Sequence, residues 1–188
     1  MIRLRSPTVG FKEWSLICDA LGAGRQSIIL RKGGIAEGRG GFQWQAAEFV
    51  LFPTHFHEQV EQTTWHPSAE TRAEMVHSAS ITIRFSATIE STHSVTEWPT
   101  AHALAPFHVW NDAVIRERFG YGDAPGLSLA IVRVHRLAQP WTIPMSPRFG
   151  GCRSWLDLPE ADMSRSTPIL DDHQHRARME AIRALLGT

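Results

Sequence analysis

The sequence is poor in cysteine and has no long apolar run, and each scarcity excludes a class of protein. Only two of its 188 residues are cysteines, Cys18 and Cys152. Two are too few for the disulfide framework of a small secreted domain, and their positions match no zinc-binding spacing. No apolar run approaches the ~20 residues that span a bilayer, and no apolar segment of a secretory signal follows the first residues. We therefore expect a cytoplasmic protein with no membrane partner.

Net charge and lysine are also scarce. The chain carries 19 Lys+Arg and 19 Asp+Glu, a formal net charge of +0 at pH 7. Adhesion to nucleic acid through overall charge is therefore not expected, whereas a local basic patch remains possible. Lys12 and Lys32 are the only lysines, so arginine supplies the other basic side chains. This bias fits phosphate recognition, because a guanidinium binds phosphate bidentately; it also fits a GC-rich genome that favours arginine codons.

The remaining composition is that of a folded domain. Hydrophobic residues make up 43% and charged residues 20% of the chain, which excludes a disordered chain or a coiled-coil rod. Apolar spacing predicts strands at Gln26–Arg31, Glu48–Phe52, Ser80–Glu90, Leu127–Leu137 and Arg153–Leu158. Apolar spacing with capping residues predicts helices at Phe11–Leu21, Ser68–His77, Asp112–Phe119 and Asp171–Leu186. A loop is expected at Ser91–Pro99, and an extended passage at the prolines that follow Leu137.

The order of these elements predicts the fold class. It shows no regular β-α-β alternation, which excludes a TIM barrel or a Rossmann fold. We expect an α+β domain with flanking helices and either a curved, mainly antiparallel sheet or a small β-barrel. The first two strands flank the glycine-rich segment Gly33–Gly41, which favours a wide hairpin. Pro159–Pro168 separates the last helix, so we expect a single domain over residues 1–160 and a linker with a helix over residues 161–188.

Two segments combine arginine with paired glycines. In the first, Arg31 and Lys32 precede Gly33–Gly41, and Arg39 lies within that glycine-rich segment. Backbone N–H groups beside glycines can bind an anion, but a solvated hairpin loop is the alternative. In the second, Arg148 and Arg153 bracket Gly150 and Gly151, and Trp155 follows. These arginines would contact phosphates, and Trp155 or Phe149 would stack on a base; the alternative is a tight turn with Trp155 in the core.

A metal or thiol site is a weaker alternative. His55, His57 and Glu61 resemble ligands, but the string from His57 to Glu61 ends in glutamate where the zinc-protease motif H-E-x-x-H has its second histidine. Cys152 would need a neighbouring base to act as a nucleophile, and no local pattern supplies one. The sequence therefore predicts no cofactor, and an enzyme that uses the histidines or Cys152 stays the second hypothesis.

A set of strings, taken in order, resembles an uncharacterised bacterial family, the domain of unknown function 1802 family. The strings are Phe11–Trp14, Ile29–Ile35, Phe49–Thr54, His57–Gln59, Phe107–Trp110, Arg133-Val134 and Gly150–Trp155. The family has no established activity, so the resemblance implies kinship without a reaction. Some members are joined to a restriction-endonuclease-like domain, which implies a role near DNA restriction.

A second resemblance concerns the fold alone. The predicted strands, with basic loops at one end, are similar to the small β-barrels of the pseudouridine-synthase-associated (PUA-like) group, which bind RNA or modified DNA bases. Fold-level analogy supports function only weakly. The leading hypothesis is a non-catalytic or accessory module that binds DNA or RNA, associated with restriction or defence. Its contacts would be Arg31, Lys32, Arg39, Arg148, Arg153 and Trp155.

Overall fold

The computed structural model describes residues 8–32, 42–55, 59–76, 79–122 and 124–188. Within these residues the strands are β1 (Thr8–Trp14), β2 (Ile28–Arg31), β3 (Glu48–Thr54), β4 (Ser80–Val95), β5 (Leu127–Pro144), β6 (Trp155–Leu158) and β7 (Thr167–Pro168). The α-helices are α1 (Ser15–Gly22), α2 (Gln59–Gln62), α3 (Ala69–Val76), α4 (Trp98–Ala103), α5 (Asp112–Gly120) and α6 (Asp172–Leu186). No helix among them is both long and apolar enough to cross a membrane.

The seven strands form one mixed sheet. Its order is β2-β5-β4-β3-β1-β6, with β7 paired to β5. The pairs are antiparallel except for β1 with β3, which run parallel. In the part of the chain that the structure describes, the end strands β2 and β6 do not pair, so the sheet is open and the small closed barrel is not formed. The expected α+β fold with a curved, mainly antiparallel sheet is confirmed; the closer PUA-like likeness stays a prediction.

The long antiparallel pair of β4 and β5 is the main part of the sheet. Its register shifts twice, between Ile83 and Phe85 and between Ile89 and Ser91. At the first shift, Arg84 stands opposite the four residues 137–140 of β5. Such bulges bend a strand and increase its twist, and they admit Pro140, which has no N–H for a regular ladder. Both strands therefore continue past their predicted ends. The loop expected at Ser91–Pro99 is wrong up to Val95, where β4 ends, and again from Trp98, where α4 begins.

The predicted helix Phe11–Leu21 is wrong in its first part, where β1 extends to Trp14 and α1 begins at Ser15. Strand β1 lies between β3 and β6 and pairs with both. A strand in this position is buried on both faces, so its apolar residues need not alternate. The spacing of Phe11 and Trp14 therefore does not distinguish a strand from a helix.

The predicted hairpin of the first two strands is also wrong. Strands β2 and β3 are separated in the sheet by β5 and β4. The long β4–β5 pair has two outer edges, and β2 pairs with the edge of β5 while β3 pairs with the edge of β4. The intervening Gly33–Gly41 segment lies outside the described residues.

The predicted helices after β3 are observed, with one difference in capping. Ser68 Oγ accepts a hydrogen bond from Thr71 N at 3.1 Å and caps α3 as expected. Asn111 precedes α5, but its Nδ2 donates to the Glu61 carbonyl at 2.6 Å instead of capping the helix. Helix α6 begins with a capping box in which Asp171 and Gln174 bond each other's backbone N–H. Its Ile182 is fully buried; the division of the chain at residue 160 stays a prediction.

Apolar residues cover both faces of the sheet. The main core cluster lies beneath α1, α4, α5 and α6 and includes Phe11, Leu51 and Ile182. A second cluster on the other face includes Phe52 and Phe149. Leu51 and Phe52 are neighbours in β3 and point to opposite faces, as the two-residue period of a strand requires. Contact with one cluster or the other therefore shows on which face of the sheet a residue lies.

Candidate nucleic-acid interface

A basic loop, defined here as residues 147–153, connects β5 to β6 on the face of the second cluster. Arg148 and Arg153 are exposed within it. Phe149 is buried and packs against Phe52, with ring centroids 5.3 Å apart. The Arg148 guanidinium lies over the Phe149 ring, 4.7 Å from its centroid. Phe149 therefore anchors the loop to the core and is too buried to stack on a base as expected, while the neighbouring Arg148 stays at the surface.

Hydrogen bonds to backbone carbonyls fix the shape of the basic loop. Lys12 Nζ donates to the carbonyls of Gly150 at 3.3 Å and Gly151 at 2.9 Å. Arg153 Nη2 donates to the Arg148 carbonyl at 2.8 Å. Gly151 has a φ of +77°, in the left-handed region that glycine adopts at low cost. The sequence offered no signal for Lys12, which lies 138 residues from Gly150 in the chain.

Positive charge is concentrated at this loop. Burial lowers the pKa of Lys12, and the nearby Arg153 charge lowers it further. Within the described residues, Lys12, Arg148 and Arg153 form no ion pair with a carboxylate. The three cations therefore produce a local positive field on a chain whose formal net charge is +0. Such a field attracts an anion over a short range.

Trp155 lies next to this loop, but its ring is held within an aromatic cluster. The ring centroid is 4.8 Å from that of Phe11 and 5.4 Å from that of Phe49. Trp155 Nε1 donates to the Gln43 carbonyl at 3.1 Å. The side chain is half-buried, so these contacts hold it in place at the edge of the main core.

The predicted contact Arg31 has partners inside the protein. Its Nη1 lies 3.0 Å from Glu13 Oε2, and its Nη2 donates to the Lys12 carbonyl at 2.6 Å. The guanidinium also lies over the Phe11 ring, 4.6 Å from its centroid. Both terminal nitrogens of the guanidinium therefore have partners inside the protein, and only 15% of the side chain is exposed.

Lys32 is similarly engaged. Its Nζ donates to the carbonyls of Phe119 at 3.2 Å, Ala124 at 2.6 Å and Gly126 at 3.0 Å. Partial burial lowers the pKa of Lys32. An ammonium group has three donors, so all three are used to close the turn between α5 and β5. Arg39, the remaining basic residue of this set, lies outside the described residues.

The alternative metal and thiol sites lie only partly within the described residues. No group of three or more histidine, cysteine, aspartate or glutamate side chains among the described residues could hold a metal ion. His55 is half-buried and burial lowers its pKa, Glu61 is exposed, and His57 lies outside the described residues. Cys152 is exposed, whereas Cys18 is buried and burial raises its pKa well above the usual range.

Three solved structures resemble the chain, all of ASCH from Zymomonas mobilis. One shares 9% identity and a TM-score of 0.48 over 93% of this chain and 94% of that chain. A mutant protein with phenylalanine in place of a tyrosine shares 11% identity and a TM-score of 0.46, with coverage of 93% and 97%. A second mutant protein, with alanine in place of a serine, shares 10% identity and a TM-score of 0.48, with coverage of 94% and 96%.

No curated protein matches the sequence. Residues 10–181 match the family described as "Domain of unknown function (DUF1802)". This match confirms the resemblance carried by the strings from Phe11–Trp14 to Gly150–Trp155, and it covers most of the chain. The protein therefore belongs to the DUF1802 family.

Proposed function

We propose that this protein is a non-catalytic module that binds nucleic acid through the basic loop. The observation that carries the proposal is the pair of exposed arginines, Arg148 and Arg153, on a loop that Lys12 holds from beneath. Guanidinium groups bind phosphate oxygens bidentately, and such charge-assisted hydrogen bonds are the stronger kind. A loop that is already ordered loses less conformational entropy on binding than a mobile one.

The partner is DNA or RNA, bound through its backbone. Arg148 and Arg153 contact phosphates, and Lys12 adds its charge to the local field. Gly150 and Gly151 carry no side chain beyond Cα, so a phosphate can approach the backbone closely between the two arginines. Contacts of this kind position a nucleic acid without reading its sequence.

The other predicted contacts take different places in this proposal. Arg31 supports the sheet through its ion pair with Glu13, and Lys32 supports the turn because its three donors are used there. Arg39 is a further phosphate contact, and Trp155 stacks on a base at its half-exposed edge. A role in restriction or defence within the bacterial cytoplasm fits such a module and rests on the family resemblance.

The test is a titration of the protein against labelled single-stranded DNA, duplex DNA and RNA at several salt concentrations. The double variant R148Q/R153Q removes two charges from the basic loop. The matched control R72Q/R176Q removes two charges from exposed arginines on α3 and α6. Both double variants have the same net charge, so any difference between them reports position and not overall charge.

We expect the wild type and the control to bind at least one of the three nucleic acids, with affinity that falls as salt rises. In R148Q/R153Q the slope of log K against log salt should flatten by about 0.7 to 0.9 for each phosphate interaction that the substitutions remove. The proposal fails if none of the three nucleic acids binds. It also fails if the two double variants bind alike.

A further inference from the structure

A cavity of about 450 Å³ lies between α1, α3 and the sheet. Leu51 and Pro53 of β3 form part of its wall. Phe52, between them, points to the other face of the sheet, where its register partner Lys12 holds the basic loop. The cavity and the basic loop are therefore on opposite faces. The volume of the cavity is typical of a site that binds a small molecule.

One arginine of the cavity is already neutralised by its neighbours. Arg84 Nη1 and Nη2 donate to the two carboxylate oxygens of Glu74 at 2.7 and 2.5 Å. Arg84 Nε lies 3.3 Å from Glu70 Oε2. The hydrogen bonds that Arg84 donates to Glu74 raise the pKa of Arg84. Because two carboxylates share this guanidinium, the Arg84 cluster offers a ligand negative charge on balance.

Asp19 contributes a third carboxylate, which is fixed in position. Its Oδ2 accepts from Trp65 Nε1 at 3.1 Å and from Ser68 N at 2.8 Å. Its Oδ1 has no hydrogen-bond partner within the described residues. Asp19 belongs to α1 and Glu70 to α3, and both line the cavity. This side of the cavity can therefore accept hydrogen bonds from a cationic group.

Arg136 gives the cavity the opposite character where β5 borders it. Its guanidinium lies over the Phe85 ring, 4.9 Å from the centroid, and within the described residues Nη2 donates only to the Gly22 carbonyl at 3.4 Å. Arginine has five N–H donors, so most of those on Arg136 remain available. Gly22 leaves room for this arrangement, because an added Cβ would lie 2.1 Å from Phe85 Cζ. The ring thus supports a cation that can bind a carboxylate.

We propose that this cavity binds a small zwitterion of the amino-acid type, with its carboxylate on Arg136 and its ammonium group on Asp19 and Glu70. The charged wall holds three carboxylates and two guanidinium groups, so it cannot compensate a polyphosphate. A zwitterion can pair its carboxylate with a guanidinium and its ammonium group with the carboxylates, and it adds no net charge. This function is separate from the basic loop, and either proposal can fail without the other.

The experiment is a calorimetric titration of the whole chain with each proteinogenic L-amino acid at millimolar concentration. Any amino acid that binds is then compared with its carboxamide, which lacks the carboxylate, and its N-acetyl derivative, which lacks the ammonium group. R136Q removes the proposed partner of the ligand carboxylate, and E70Q removes one proposed partner of its ammonium group. R176Q removes an exposed arginine of α6 and serves as the control for charge. Glu70 is 73% exposed, so E70Q should fold normally.

We expect at least one amino acid to bind, and each blocked derivative to bind about tenfold more weakly or worse. R136Q should weaken binding of the amino acid but not of its carboxamide. E70Q should weaken binding of the amino acid but not of its N-acetyl derivative. R176Q should bind as the wild type does. The proposal is overturned if no amino acid binds or if the blocked derivatives bind equally well. The comparison of the amino acid with its two blocked derivatives uses wild-type protein, so it tests the proposal even if R136Q does not fold.

Discussion

Arg31 and Glu13 form an ion pair between two strands that are not neighbours, with Nη1 3.0 Å from Oε2. Arg31 ends β2, and Glu13 lies in β1, four positions away in the sheet order. In a flat sheet these strands would be about 19 Å apart, at about 4.8 Å per step. The contact therefore requires a strongly curled sheet, and it closes the curl from the inside. Glu13 is almost fully buried, with 1% of its side chain exposed.

The first prediction is that Arg31 stabilises the fold. R31M would leave the buried Glu13 carboxylate without its counterion, which destabilises a protein by about 3 to 5 kcal/mol. E13Q in the same chain removes that charge, and the amide oxygen can still accept from Trp14 N as Glu13 Oε1 does at 2.8 Å. We therefore expect R31M/E13Q to recover part of the stability. Urea unfolding of the two single variants, the double variant and the wild type measures this coupling.

The matched control for that cycle is R148M, which removes an exposed arginine with no ion pair in the described chain. It should change the free energy of unfolding by no more than about 0.5 kcal/mol. If R31M and R148M prove equally stable, the ion pair with Glu13 does not stabilise the curl.

The second prediction concerns Lys32 and the turn between α5 and β5. K32M removes the donors to three carbonyls, those of Phe119, Ala124 and Gly126. Hydrogen bonds to charged groups contribute about 1.5 to 3 kcal/mol, and water will replace part of this at a half-buried site. We expect amide hydrogens near Gly126 to exchange faster than in the wild type, while those of β3 keep their protection. Unchanged exchange at the turn would show that Lys32 does not hold it.

The sequence was sufficient for elements whose signals are local. The alternation from Ile81 to Ile89 predicts β4, and Asp171 with the polar and basic residues that follow predicts α6. Phe11 and Trp14 are different, because their spacing fits a helix or a strand. Their state depends on pairing with β3 and β6, and the pairing partners are far away in the sequence.

The candidate site shows the same limit. Arg31 and Arg148 each stand beside glycines, so one pattern predicts both as phosphate contacts. They differ because the curl brings a buried carboxylate, Glu13, to Arg31, while Arg148 has no carboxylate partner in the described chain. Lys12 was missed because its bond to Gly150 spans 138 residues. Local patterns identify candidate chemistry, whereas tertiary contacts decide which side chains remain available.

The third prediction is a loss of stability in mild acid because of His108. Burial lowers the pKa of His108 from 6.5 to about 4. Trp110 N donates to Nδ1 at 3.2 Å, and the buried Nε2 has no partner in the described chain. Between pH 6.5 and 4 the unfolded chain therefore binds more protons than the folded one, so stability falls as pH falls. The full difference between the two pKa values corresponds to a loss of up to about 3 kcal/mol in the free energy of unfolding.

H108N tests this share of the acid response. The Asn side-chain oxygen can accept from Trp110 N in place of Nδ1, but it does not take up a proton in this range. Burial also lowers the pKa of His55, His135 and His175, so the variant should keep a weaker slope. We expect its stability to fall less than that of the wild type between pH 6.5 and 4. H66N removes an exposed histidine that forms no ion pair within the described residues, and this control should change the slope less than H108N does.

The last prediction separates the shape of the basic loop from its charge. Gly151 has a φ of +77°, and an added Cβ would meet nothing within 4 Å. G151A therefore introduces backbone strain of about 1 kcal/mol without a steric clash. Gly120 also has open space around it but no positive φ, so G120A is a control for the added methyl group. We expect G151A to lower stability and to weaken the hydrogen bonds from Lys12 to the Gly150 and Gly151 carbonyls, whereas G120A should do neither.

Nitrogen-15 NMR of the Lys12 ammonium group reports these hydrogen bonds directly: its protons should exchange faster with water in G151A. If Arg148 and Arg153 bind nucleic acid because the loop is ordered, G151A should also weaken binding at constant net charge. Equal binding by both alanine variants would mean that charge alone is sufficient.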